Sequence, residues 1–228
     1  MFHPRLRPPN LALALAGVAG FVDAVGFLTL RHLFVAHMTG NASKLGVALA
    51  RGRLGDALPL VLAPLLYVAG IAAGTVLVDH RARGLALAAQ AVLVAGYMGY
   101  GSTVIHGEAG PGHGRIAFYV LEVLAVLAFG LQTAALTEIS GTTARTTYVS
   151  GPLTNLTVTA VHRLTGRPAQ QFSLRLLVGV WLAYVVFATA GAYGLRELTV
   201  WCLAFPVAVL VVLAACAPAS ADTQAEAP

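Results

Sequence analysis

Charge is what this chain lacks most. Of its 228 residues only 10% are charged, against 58% hydrophobic, whereas a soluble domain of this size carries roughly 25% charged residues. So large a shortfall excludes an ordinary water-facing surface. The basic residues sit singly or in pairs at the ends of apolar runs, with no basic stripe and no interleaved aromatics. The net charge of +5 is therefore read as orientation against lipid headgroups, and nucleic acid is not an expected partner. Cysteine is nearly absent too. Cys202 and Cys216 share one apolar run with no metal or redox spacing, which leaves them as packing residues. The chain has no H-E-x-x-H helix, no G-x-S-x-G elbow and no nucleotide-binding loop. Those absences speak against the corresponding intramembrane hydrolases and against ATP drive from within the chain. His106 to His113 is a glycine-rich loop with two histidines and Glu108, too pliable to count as a metal site, and no cofactor is expected.

What the chain does have is long apolar runs, and crossing hydrocarbon takes about 20 residues. Six qualify: Leu11 to Leu30, Ala57 to Val78, Leu85 to Ile105, Ile116 to Leu136, Leu174 to Leu195 and Leu198 to Ala217. The expected fold is an all-α integral membrane protein, one membrane domain over residues 1–217 followed by a disordered tail, 218–228. Arg5 and Arg7 ahead of the first run mimic a signal peptide. Five further runs follow, and the first contains Asp23, so it is read as a retained span.

Two segments, roughly 35–52 and 146–165, are too polar and short for comfortable spans and too apolar for ordinary loops. In each, a helix can restart after a glycine: Asn41 follows Gly40, and Pro152 follows Gly151 at the first helical position. Irregular backbone at membrane depth survives where protein or a water-filled cavity surrounds it. Both are read as half-helices. The pattern is then one long span, a half-helix and two more spans, twice over, as two repeats of three spans (10–106 and 115–217). Gly20-Phe21-Val22-Asp23-Ala24 opens the first and Gly130-Leu131-Gln132-Thr133-Ala134 echoes it in the second.

If the half-helices dip in and return, the chain crosses six times and the repeats are antiparallel. If they cross fully, there are eight crossings and the repeats are parallel. With the amino terminus inside, six crossings put eight basic residues inside against six outside, and eight crossings put eight against five with Lys44 inside the membrane. Charge thus leans to full crossing; length and polarity favour re-entry, which is the first choice.

Met38-Thr39-Gly40-Asn41 with Leu45-Gly46 behind the Gly20–Ala24 motif, and Thr146-Thr147-Tyr148-Val149-Ser150-Gly151 with Leu153-Thr154, resemble the two signatures of the YoaK-like family of bacterial membrane proteins of unknown function. The resemblance covers nearly the whole chain. It implies a six-span bacterial inner-membrane protein and brings no substrate, reaction or cofactor. Members often carry Gln-Asn-Ala where this chain has Gln132-Thr133-Ala134, so no role needing a carboxamide at 133 carries over.

Asp23 lies about two-thirds along the first span. A carboxylate there costs roughly 2.5–3.5 kcal/mol on insertion scales, and intramembrane acids are functional by default. It suits a proton carrier or a cation ligand, the alternative being an ion pair with Lys44 or Arg31. Glu122 is the second intramembrane acid, with Gln90 and Gln132 as interhelical hydrogen-bonding groups. A helix beginning at mid-depth presents unpaired N–H groups and the positive end of its dipole to an anionic group. Candidate site residues are therefore Asp23, Thr39, Gly40, Asn41, Lys44, Glu122, Gln132, Ser150, Gly151, Thr154 and Asn155. The leading expectation is a small secondary transporter of an unidentified solute or ion, set in the lipid bilayer, with the amino terminus cytoplasmic and self-association open. A non-catalytic structural or regulatory subunit is the alternative, and an intramembrane enzyme comes third.

Overall fold

The computed structural model describes residues 8–79, 83–105, 114–137, 157–159, 161, 162, 165 and 174–217. Within them the chain is helical with no strand: α1 (Pro8–Thr29), α2 (Met38–Ala50), α3 (Leu54–Asp79), α4 (Arg83–Val104), α5 (Arg115–Thr137), α6 (Leu174–Leu198), a 3-10 turn (Thr199–Leu203) and α7 (Ala204–Cys216). The expected second break at 146–165 falls mostly outside the described residues, though 157–159 and 161–162 are helical. The His106–His113 loop and the tail 218–228 also lie outside them.

Five stretches are long and apolar enough to cross a membrane, and the last of these, Leu174–Cys216, is 43 residues long and contains both α6 and α7. The sixth expected span, from Leu198, begins instead with the 3-10 turn, where Thr199 takes a φ of 54°. The 13 residues of α7 rise only about 20 Å. The five 3-10 residues before it add roughly 10 Å at their longer rise. A 3-10 stretch lets a short helix reach further than its residue count suggests.

The helices are sorted for lipid. Along α3 the buried positions are Ala57, Leu60, Ala63, Tyr67, Gly70, Gly74 and Val78. Leu58, Val61, Leu65, Val68 and Val76 face outward. An inward face built mostly of small residues, with a tyrosine, Leu60 and Val78, and an outward face of branched aliphatics reverse the pattern of a soluble helix. That arrangement is expected where the surroundings are as apolar as leucine and helices associate by close backbone packing.

Two helix pairs dominate the packing, α1 with α6 and α3 with α5. Gly179 faces Leu13 and Gly191 faces Phe21, so α1 and α6 run in the same direction. Gly70 faces Leu127, and Gly74 faces Leu131 and Ala134, so α3 and α5 also run together. Both pairs are closed by a glycine. A Cβ on Gly20 would overlap the Tyr184 carbonyl oxygen, and one on Gly130 would overlap that of Tyr67. Gly20, Gly70, Gly74, Gly130 and Gly191 therefore act as close packing surfaces between helices.

Side-chain hydrogen bonds fix the remaining directions. Gln90 donates to Gln132 (2.6 Å), and Gln132 donates to the Leu15 carbonyl (2.9 Å), tying α4, α5 and α1 at one depth. Gly101 faces both Leu121 and Val200, and Gly84 faces Ala214. Together with the Arg31 guanidinium over the Phe118 ring, these contacts make α1, α4 and α6 antiparallel to α3, α5 and α7. The chain therefore reverses between α6 and α7.

Candidate functional site

The site is built by a loop that leaves α1 and returns beside it. The end of α1 closes with the His32 amide donating to the Phe27 carbonyl (2.9 Å), which puts Arg31 at the left-handed capping position that glycine usually takes. Arg31 and His32 have φ of 51° and 62°. After this turn the backbone runs non-helically through Leu33 to His37. The Val35 and Ala36 amides both donate to Asp23 Oδ1 at 2.9 Å. Asp23 lies six residues before the end of α1, so the loop descends about 9 Å along the helix.

The descent is held by paired polar contacts. Asn41, with no exposed surface, accepts from the Phe34 amide (3.0 Å) and donates to the Phe34 carbonyl (2.7 Å), satisfying a buried residue the way a strand partner would. Gly40 is required here because a Cβ would meet the Phe34 ring at 2.9 Å. α2 then climbs back. The Lys44 Nζ donates to the His32 carbonyl and sits over the Phe27 and Phe34 rings at 5.0 and 4.9 Å, so its second turn is already level with the end of α1. α2 ends at Ala50, capped by Arg51, which shares a cleft with Arg31, and the chain turns at Gly52 (φ 66°).

Asp23 is 3% exposed and fully partnered. Besides the two amides, the Tyr184 hydroxyl donates to Oδ2 (2.6 Å), and His37 Nδ1 lies 2.7 Å from the same oxygen. Neither Lys44 nor Arg31 pairs with it; the imidazole of His37 does, as a hydrogen-bond partner. Phe27, Phe34, His37 and Tyr184 form a column of ring contacts, with centroids 4.7, 5.8 and 5.4 Å apart in turn. A small groove of about 250 Å³ opens beside Asp23, between α1 and α6. Four donors on one carboxylate make Asp23 a tether for the loop, with Tyr184 clamping it to α6.

Glu122 is the opposite case. It has no exposed surface, and among the described residues neither carboxyl oxygen has a hydrogen-bond partner. It lies one helical turn beyond Phe118 and Tyr119, which line a larger cleft of about 860 Å³ bounded by the ends of α1, α2, α3 and α5. Gln132 is likewise fully buried, but its amide is committed to Gln90 and Leu15. Thr39 is exposed, and Ser43 donates to its carbonyl at 3.2 Å. Ser150, Gly151, Thr154 and Asn155 fall outside the described residues.

The structure thus gathers Asp23, Gly40, Asn41 and Lys44 around one loop and leaves Glu122 and Gln132 on another helix. Two features of the site were not legible from sequence. Tyr184, in the middle of an apolar run, is a hydrogen-bond donor to Asp23. Arg31, Arg51, Arg53 and Arg115, read as topology markers at segment ends, line a common cleft with Lys44. Among the described residues no cluster of three metal-binding side chains occurs.

No solved structure matches this chain. Over 187 residues, 78% of each chain, it is 25% identical to the UPF0700 transmembrane protein YoaK of Bacillus subtilis. Residues 11–216, which take in every described helix except the first three residues of α1, match the family described as "Protein of unknown function (DUF1275)", and this helical membrane protein belongs to that family.

Proposed function

We propose that the protein is a small secondary carrier of the bacterial inner membrane with six crossings, in which α2 and the loop before it form a re-entrant segment. The observation that carries this reading is the loop itself: backbone amides of Val35 and Ala36 held at the depth of Asp23, followed by a helix returning to the end it came from. Non-helical backbone at such depth is a recurring feature of transporter sites.

Support for an inverted repeat comes from matching contacts. In the α1–α6 pair, Gly20 abuts the Tyr184 carbonyl and Tyr184 bonds Asp23, three residues on. In the α5–α3 pair, Gly130 abuts the Tyr67 carbonyl, and the Tyr67 hydroxyl lies 2.7 Å from Thr133, again three residues on. Gly191 facing Phe21 corresponds in register to Gly74 facing Leu131. Since α1 and α5 run oppositely, the two halves are related by inversion. Two halves of opposite orientation can open a shared site to either side in turn.

Within this reading Asp23 positions the loop, and Glu122 carries the coupling proton. A fully buried carboxyl with no hydrogen-bond donor among the described residues is costly to hold charged, so Glu122 has a strong reason to exchange a proton when solute or water reaches it. No catalytic role is proposed. The test uses proteoliposomes containing a pH-sensitive dye. A solute gradient should drive proton movement that Glu122→Gln abolishes, with the amino terminus on the cytoplasmic side in cells. Solute flux unchanged in Glu122→Gln would remove the coupling role, and no solute-driven flux across a library of ions, acids and amines would remove the carrier.

The saturation of Asp23 favours a second reading, a structural or regulatory subunit whose polar turns serve assembly. It is distinguished by topology and flux together. A single cysteine at Ala82, in a variant lacking Cys202 and Cys216, should label from the cytoplasmic side under six crossings and from the far side under eight. Correct topology without flux leaves the subunit reading standing.

A further inference from the structure

The cleft of about 860 Å³ is lined by Arg31, Lys44, Arg51, Arg53 and Arg115, with Asp56 as its one acidic side chain. Among the described residues, none of the five cations has a carboxylate within ion-pair distance. Cations placed only to mark a membrane face would be spread around the rim, where water screens them. Here they share a concave wall backed by apolar residues such as Leu33, Leu60 and Phe118. Like charges gathered there repel one another and leave a positive field unanswered.

The backbone points the same way. Arg31 occupies a left-handed capping position at which a non-glycine residue is strained, and the neighbouring His32 is left-handed as well. Lys44 holds this turn through the His32 carbonyl. The strained arrangement stacks the Arg31 guanidinium 5.4 Å over the Phe118 ring, at the cleft wall. A glycine would cap α1 with less strain but would bring no charge to the cleft.

We propose that this cleft binds an oxyanion, a phosphate, sulfate or carboxylate group, through Arg31, Arg51, Arg53 and Arg115. Guanidinium groups match such groups with two parallel hydrogen bonds, and the volume suits a small molecule. The oxyanion belongs to a free solute or to an anionic lipid headgroup, which present the same chemistry. As the vestibule above Glu122 the site deepens the carrier reading, naming an anion as cargo, yet binding itself does not depend on transport.

The experiment is a thermal melt and titration calorimetry on full-length protein in neutral detergent, with inorganic phosphate and citrate at constant ionic strength. A parallel series uses nanodiscs with and without phosphatidylglycerol. Binding should saturate, raise the melting temperature, and weaken at least tenfold in Arg51→Gln/Arg53→Gln and in Arg115→Gln. Arg196→Gln, on α6 and facing Glu197 at 3.5 Å, should bind as the parent does. Arg31→Gly should melt no lower than the parent without ligand while binding more weakly, an outcome a purely structural Arg31 would not give. Arginine-dependent stabilisation by phosphate or citrate identifies a solute, and the same dependence on phosphatidylglycerol alone identifies a headgroup. If neither anion source shows that dependence, or if Arg196→Gln weakens binding equally, the site is overturned. Binding with no flux in proteoliposomes keeps the site and removes the carrier; flux with no binding does the reverse.

Discussion

Asp23 and Glu122 are two buried acids in one small membrane protein, with 3% and no exposed surface respectively, and their surroundings differ completely. Asp23 has two amides, a tyrosine hydroxyl and a histidine on its two oxygens, and among the described residues Glu122 has no hydrogen-bond partner on either of its own. The rule that an ionisable group within a membrane marks function does not separate them. Partnering does. A saturated carboxylate has no capacity left for a proton or ion without releasing something, and what Asp23 would release is the loop.

The most severe challenge to this contrast is Asp23→Ala. It leaves the Val35 and Ala36 amides without their acceptor, and the expected loss is about 3–5 kcal/mol, seen as reduced folded yield and a lower melt in detergent. Glu122→Ala removes no hydrogen bond and should cost far less. Equal losses would erase the distinction.

Tyr184→Phe and Tyr67→Phe sharpen it one step out. The first removes a hydroxyl bonded to a carboxylate and should cost about 1.5–3 kcal/mol. The second removes one bonded to Thr133, where interhelical bonds in membranes average about 0.6 kcal/mol. A larger loss for Tyr67→Phe in chemical denaturation would refute the assigned roles.

Gly20→Val and Gly130→Val address the pairing of α1–α6 with α3–α5. Each forces a side chain into a facing carbonyl, and each should destabilise by about 1–3 kcal/mol. Matching losses are expected if the two pairs are versions of one unit; tolerance at one glycine alone would break the correspondence. The smallest effect on stability belongs to Glu122→Gln, expected within about 0.5 kcal/mol of the parent, with loss of coupled proton movement as its signature.

Much of the helical framework was legible because hydrophobic transfer is a property that neighbouring residues sum. The first five expected runs fall within about four residues of α1, α3, α4, α5 and α6 at either end. The sixth did not survive intact, since hydropathy does not distinguish the 3-10 turn at Thr199–Leu203 from the helix after it. A helix after the polar, glycine-centred break was legible, but its start was not: α2 begins at Met38 with His37 as its cap, so Gly40 and Asn41 lie inside the helix and it does not restart after the glycine. The partners of Asp23 were not: His37 and Tyr184 lie 14 and 161 positions away, and nothing local links a tyrosine in α6 to an acid in α1. The basic cleft was hidden similarly, because its arginines come from four separate helix ends.

Composition alone placed this chain in lipid and set where most of its helices run, because the free energy of moving a segment out of water is nearly additive along it. Only the packed structure decided which buried polar group is satisfied and which is left bare. Hydrogen bonds need a donor and an acceptor about 3 Å apart, and that meeting is arranged by the fold across long intervals of sequence.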